Sequence, residues 1–147
     1  MAHPQIAIVG PQAGQSLNVL GTPMLVKNAG AAGPFFVADQ LVPAGHAVPP
    51  HVHDHDDEAF FVIDGELTLD TDEGPRVASA GSFVYSPAGV RHGLRNQTAD
   101  AARVLVLSSS AARLAPMFRE LDRLTRRGNV NPDDVGTICA AHDVRFG

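Results

Sequence analysis

Four side chains in the middle of the chain could do metal chemistry: His51, His53, Glu58 and His92. His51 and His53 are separated by one residue. On a strand, residues i and i+2 point to the same face, so both imidazoles can converge on one point. Glu58 follows the polar, turn-like stretch Asp54-His55-Asp56-Asp57 and opens the next apolar run, which can return its carboxylate to that point. His92 arrives later, after the turn signal Pro87-x-Gly89. Three imidazoles and one carboxylate make a borderline donor set, suited to Fe, Ni, Mn, Co, Cu or Zn. Around an octahedral ion, four protein ligands leave two positions for water, a substrate oxygen or O2. His55 continues the i, i+2 series and is expected in solvent or behind the ligands. Asp54, Asp56 and Asp57 are expected to form a solvated acidic turn.

The elements that must position these residues read as short strands with frequent breakers. Apolar or alternating runs cover 6–9, 24–26, 35–41, 58–63, 66–70, 76–78, 82–85, 92–96 and 103–107. A turn-like stretch fills 28–34, and Asp64-Gly65 is a strong hairpin signal between two of the runs. The layout predicts an all-β sandwich or barrel with antiparallel pairing. Phe60 lies two residues after Glu58, Val62 two after Phe60, and Leu94 two after His92, so all three are candidates for an apolar substrate pocket beside the metal. After the strands, Leu114, Met117, Phe118, Leu121 and Leu124 recur at helical spacing, with Pro116 suited to a first turn. Asn131-Pro132-Asp133-Asp134 marks a second helix start. The two short helices are expected to cover a sheet edge or a subunit face, or to close over the barrel mouth. Cys139 is expected to be a small buried hydrophobe.

The donors sit in two stretches of fixed spacing. One is Gly45-x5-His51-x-His53-x4-Glu58-x6-Gly65, and the other is Gly81-x5-Pro87-x-Gly89-x2-His92-x3-Asn96, with 15 residues between Gly65 and Gly81. Both resemble the two signature motifs of the cupin superfamily at every fixed position. The resemblance implies a cupin-type β-barrel of jelly-roll form and one divalent transition metal per chain. The ligands would be His51, His53, Glu58 and His92, with turns at Gly65 and Gly89. It makes residues 1–147 a single cupin domain, with a barrel core over about 20–108 and a helical tail over about 111–142. The short spacing between the motifs is similar to that of single-domain members, the monocupins. Pro49-Pro50-His51-Val52-His53, Asp57-Glu58-Ala59-Phe60 and Met117-Phe118-Arg119-Glu120-Leu121 resemble the quercetinase-like (flavonol dioxygenase) bacterial cupins. That likeness implies a metal-dependent dioxygenase acting on a small hydroxylated substrate, aromatic or enediol, with Glu58 both ligand and catalytic base. The alternatives are an O2-independent metal lyase or isomerase, and a non-catalytic cupin that binds a small molecule. A homodimer is expected by the same resemblance.

Composition narrows the classes further. The 147 residues are 44% hydrophobic and 18% charged, which suits one folded domain rather than a disordered chain. A net charge of −5 with 11 Lys plus Arg leaves no basic surplus for a phosphate backbone, so no nucleic-acid partner is expected. No apolar run approaches 18 residues, so no membrane span is expected. The opening Met1-Ala2-His3-Pro4-Gln5 does not read as a signal peptide, and Cys139 is the only cysteine. The expected location is the cytoplasm.

Overall fold

Alternation of buried and less buried side chains marks the longer strands. Phe36, Ala38, Gln40 and Val42 of β3 (Phe36–Val42) are buried while their neighbours are not, and β10 (Ala102–Ser108) repeats the pattern. Such strands are stable only when their apolar faces meet, which forces a sandwich. The computed structural model describes residues 5–28 and 34–147. Residues 1–4 and 29–33, which include most of the turn expected over 28–34, lie outside the described residues.

The other strands before the helices are β1 (Gln15–Val19), β2 (Thr22–Val26), β4 (Ala47–His53), β5 (Glu58–Asp64), β6 (Glu66–Thr71), β7 (Gly74–Ser79), β8 (Phe83–Ser86) and β9 (His92–Arg95). Then come α1 (Ala111–Arg127), α2 (Pro132–Ala140) and a short β11 (Val144–Phe146). One sheet has the order β1-β2-β3-β10-β5-β8, and the other β11-β4-β9-β6-β7. Every pairing among the described residues is antiparallel. The sheets face each other as a jelly roll and do not close into a continuous barrel. Between them lies one core, built from residues such as Phe36, Val62, Leu67, Val104 and Leu114.

Several expectations need correction. Asp64-Gly65 does not make a hairpin: β5 pairs with β10 and β8, whereas β6 pairs with β7 and β9 in the facing sheet. Gly65 carries the chain across between sheets at φ 80°, and a Cβ there would stand 2.9 Å from Ala102 Cα. A hairpin signal reports a sharp turn; which strand lies beyond it is decided by which faces the two strands bury, and here the inner faces of β5 and β6 meet from opposite sheets. The apolar run 6–9 forms no strand, and Ile6 and Ile8 are exposed. The first helix begins at Ala111, so Pro116 is an interior residue rather than a first-turn one. The carbonyl that Pro116 cannot bond belongs to Ala112, which is exposed to water. β11 was not anticipated; three residues are too few to show a period.

The helices pack rather than gate. Leu114, Met117, Leu121 and Leu124 face inward, and the first three join the core that holds Leu17, Val19 and Phe36. Phe118 packs on Phe36 with ring centroids 5.3 Å apart. Asp122 accepts from the Asn18 amide, and Thr125 Oγ1 accepts from the Leu20 amide, fixing α1 to the β1 edge. α2 starts as its sequence requires, with the Asn131 side chain accepting from the Asp134 amide, and it packs on α1 and β11. Cys139 on α2 is buried, and burial pushes its thiol up to about 11.

Candidate metal centre

β4, β5 and β9 bring the four donors together. Glu58 Oε2 lies 2.9 Å from His92 Nε2 and 3.1 Å from His53 Nε2. His51 Nε2 lies 3.2 Å from His53 Nε2. All four residues are buried, and one donor atom from each falls within 4.8 Å of the others. Donors about 2.1 Å from one ion and at right angles to each other stand about 3.0 Å apart, so the spacing fits a shared ion.

The protonation chemistry fits as well. His51 Nδ1 donates to the Pro49 carbonyl at 2.9 Å, and His92 Nδ1 donates to the Val90 carbonyl at 3.1 Å, with Ser86 Oγ 2.8 Å away. In a neutral ring, a donating Nδ1–H leaves the Nε2 lone pair free. Two lone pairs and a carboxylate therefore converge on one buried point, an arrangement that a cation relieves. Burial drives the His51 imidazole down to about 4, against the pull of Glu58. In the metal-free site burial works against ionising Glu58, but hydrogen bonds and charge from His53 and His92, whose Nε2 protons then stand in for a cation, hold its carboxyl well below the usual range. His92 is pushed down by burial and further up by Glu58, so it ends above its ordinary value.

Alternation alone would not bring His51 inward. Val48 faces the core opposite Leu94, and three residues later a regular strand would point outward. A one-residue bulge between Val48 and His51 resets the parity and sets His51 opposite His92. Pro49 and Pro50 cannot donate to the ladder, which suits them to the interrupted stretch. Gly93 faces the bulge, where a Cβ would stand 2.9 Å from the Val48 carbonyl oxygen.

The loop that joins His53 to Glu58 is not the solvated acidic turn expected. Asp54 binds Arg145 of β11, and buried Asp56 accepts from Arg113 Nε of α1 at 3.1 Å. Asp57 accepts from the Tyr85 hydroxyl and the Ala88 amide. The carboxylates thus moor the loop to three separate elements. His55 between them is exposed and takes no part in the donor cluster. Asn96 is buried and donates to the Val42 and Asp100 carbonyls, clamping the turn after β9. The residues that sequence reasoning missed are Ser86, which holds His92, and Arg113. Ser86 alternates with Val84 on the inner face, but only pairing with Glu58 places it beside the donors.

Phe60, Val62 and Leu94 share the inner face with the donors, as alternation requires. Phe60 stands nearest, its ring centroid 6.3 Å from that of His92. All three are sealed in the core. A cavity of about 580 Å³ reaches His92 from the side where β7 and β8 run free, and its walls include Leu69, Val84 and Ser86 rather than those three.

Comparison with known proteins agrees with this architecture. Residues 38–108 match the family model described as "Cupin domain". Quercetin 2,3-dioxygenase of Bacillus subtilis (strain 168) is 30% identical over 63 residues, covering 43% of this chain and only 19% of that protein. A sugar phosphate isomerase of the cupin superfamily from Silicibacter pomeroyi is 28% identical with a TM-score of 0.58, over 64% of this chain and 62% of that one. KdgF from Halomonas sp. is similar in fold, with 15% identity and a TM-score of 0.64 over 75% of this chain and 99% of that one. The polyketide cyclase RemF from Streptomyces resistomycificus is 19% identical, with a TM-score of 0.61 over 71% of this chain and 79% of that one. With paired motifs, a jelly roll and a buried His-His-Glu-His cluster at its centre, residues 38–108 of the chain form a cupin domain.

Proposed function

We propose that the protein is a metal-dependent dioxygenase acting on a small hydroxylated substrate, aromatic or enediol, in the manner of quercetinase-like cupins. The observation that carries the reading is the convergence of His51, His53, Glu58 and His92 on one buried point, with two imidazoles turned to it by backbone carbonyls. A bound Fe, Ni, Mn, Co, Cu or Zn ion would supply Lewis acidity there and, if redox-active, a path for electrons to O2. The likeness to a quercetin dioxygenase over 63 residues supports this reaction class.

In this reading each protein group has a role. His51, His53, Glu58 and His92 hold the ion. Glu58 would also accept the proton of the substrate hydroxyl, the second role that the likeness to quercetinase-like cupins implies for it. Ser86 and the Pro49 and Val90 carbonyls keep the imidazoles aimed. Phe60 walls the centre against water, with Val62 and Leu94 behind it as the apolar floor. Two copies would pair through the outer face of the larger sheet, where Phe61, Ile63, Phe83 and Tyr85 are exposed side by side on β5 and β8. A cytoplasmic location belongs to the same reading, because the free, buried Cys139 suits a reducing compartment.

The test is elemental analysis of protein never exposed to chelator, followed by oxygen-uptake screening with flavonols, catechols and enediols. About one transition-metal ion per chain and uptake with one substrate class is the expected result. Turnover that proceeds equally under strict anaerobiosis would favour a lyase or isomerase instead, a reading that the likeness to a sugar phosphate isomerase supports. Light scattering in solution checks the dimer.

A further inference from the structure

The cavity that reaches His92 holds a charge that the metal centre does not explain. Arg76 lies on β7 opposite Leu69, and Leu69 lies opposite Leu94 on β9. Leu69, Leu94 and Ala78 are buried in the space between the sheets, so the register puts Arg76 on that same concave face. Arg76 lines the cavity together with His92. The other strand arginines are each engaged by a carboxylate: Arg95 by Asp70, Arg103 by Asp39 and Arg145 by Asp54. Arg76 has no hydrogen bond or ion pair among the described residues. The nearby charges at the cavity mouth are Asp72, Glu73 and Arg91, and Arg91 is held by the Gly147 carbonyl and stands 3.9 Å from Asp72.

A guanidinium that no carboxylate engages is a ready partner for a planar anion. Its place also sets a length. β7 and β9 are two strand spacings apart, and Arg76 stands two residues along β7 from Gly74, the residue in line with His92, so the two backbones are about 12 Å apart. Side chains reaching inward from both leave room between them for about one aromatic ring. We propose that the cavity selects substrates that carry a carboxylate about one ring away from the hydroxyls that face the donor cluster, with Arg76 binding that carboxylate. The inference rests on the metal-centre reading above and names a substrate class for it. Arg76 is a specificity-determining residue in this scheme. Its guanidinium orients the substrate so that the hydroxyl end, not the carboxylate, meets Glu58 and the imidazoles.

The experiment compares two isosteric probes, 3,4-dihydroxybenzoate and the neutral 3,4-dihydroxybenzamide. Each is titrated anaerobically into cobalt(II)-loaded protein, with the visible cobalt spectrum and calorimetric heat as readouts. The acid is expected to bind about tenfold more tightly than the amide. In Arg76→Gln the ratio should fall to within about twofold, with amide affinity and cobalt content unchanged. Because Arg76 is exposed, this variant is expected to fold normally, and the unchanged amide affinity checks that. Arg91→Gln should keep most of the preference. Equal affinity for the two probes in the parent protein, or an unchanged ratio in Arg76→Gln, overturns the anion site and leaves the metal centre standing. A cobalt spectrum that neither probe perturbs defeats the open-metal reading and the anion site with it.

Discussion

The sandwich has two long gaps between its sheets, and they are finished in opposite ways. On one side β1 and β11 are the edges, and α1 and α2 bridge them with an apolar stripe that merges into the core. On the other side β7 and β8 are the edges, and only a short turn joins them over an open cavity. The same sequence thus puts its stabilising area on one flank and its access on the other. Free backbone edges are a liability for aggregation, and a fold tolerates them where a ligand must enter. The donor cluster sits between the flanks. His53 is tied toward the sealed side through β11, while His92 borders the cavity.

This contrast can be broken by measurement. The largest effect should come from Leu114→Ala on the sealed flank. Its side chain is fully buried, and its removal should cost about 4 kcal/mol in urea unfolding. A loss under about 1 kcal/mol would mean that the helices merely lie on the sandwich.

His51→Ala addresses the centre. Metal should be lost from the purified protein, and with it the stabilisation that metal gives the parent, about 3 kcal/mol at a hundredfold excess over Kd. Full occupancy in this variant would remove His51 from the ligand set. The metal-free parent carries a related pH signature. His51 is held at about 4 when folded, below its ordinary 6.5, so its contribution to stability is complete above 6.5 and is lost as pH falls toward 4. His92 has the opposite sign: its folded value is raised, so its contribution is present below 6.5 and fades as pH rises past the folded value. Replacing His51 by Ala should therefore flatten the acid limb of a pH series of thermal melts. An unchanged limb would assign the acid loss elsewhere. Metal affinity in the parent should also weaken below about 6.5, because ligand imidazoles must be neutral.

A smaller effect is expected from Asp56→Ala, which unties the ligand loop from α1. The loss should be about 1 kcal/mol, at the low end for a charged hydrogen bond because the Arg113 side chain is 42% exposed and can rehydrate. A double-mutant cycle with Arg113→Ala measures the coupling itself. The smallest effect belongs to the open flank. Val77 on β7 is 65% exposed, and Val77→Ser should change stability by less than about 0.5 kcal/mol. A large loss there would show that a second copy, and not solvent, covers that edge.

The donor types and their spacing were legible because both rest on local rules. The i, i+2 relation of His51 and His53 is a property of any strand, and the turn before Glu58 is visible as a polar cluster. The β-rich architecture and the helical tail also follow from local period. The Asp-Gly reversal misled because a tight turn can join strands of one sheet or hand the chain to another. The acidic loop misled for the same reason, since its partners Arg113, Arg145 and Tyr85 lie 28 to 91 residues away.

By itself, then, the sequence determined which side chains could share an ion, that they ride on strands, and that the last third is helical, since each of these is a matter of neighbours within a few residues. Only the tertiary structure decided that a bulge at Pro49-Pro50 turns His51 inward, that Ser86 and two carbonyls aim the imidazoles, and that Arg76 faces the cavity. Those outcomes depend on register and on which edges are left free, and register is set by the burial of whole faces, a quantity that no local stretch of sequence contains.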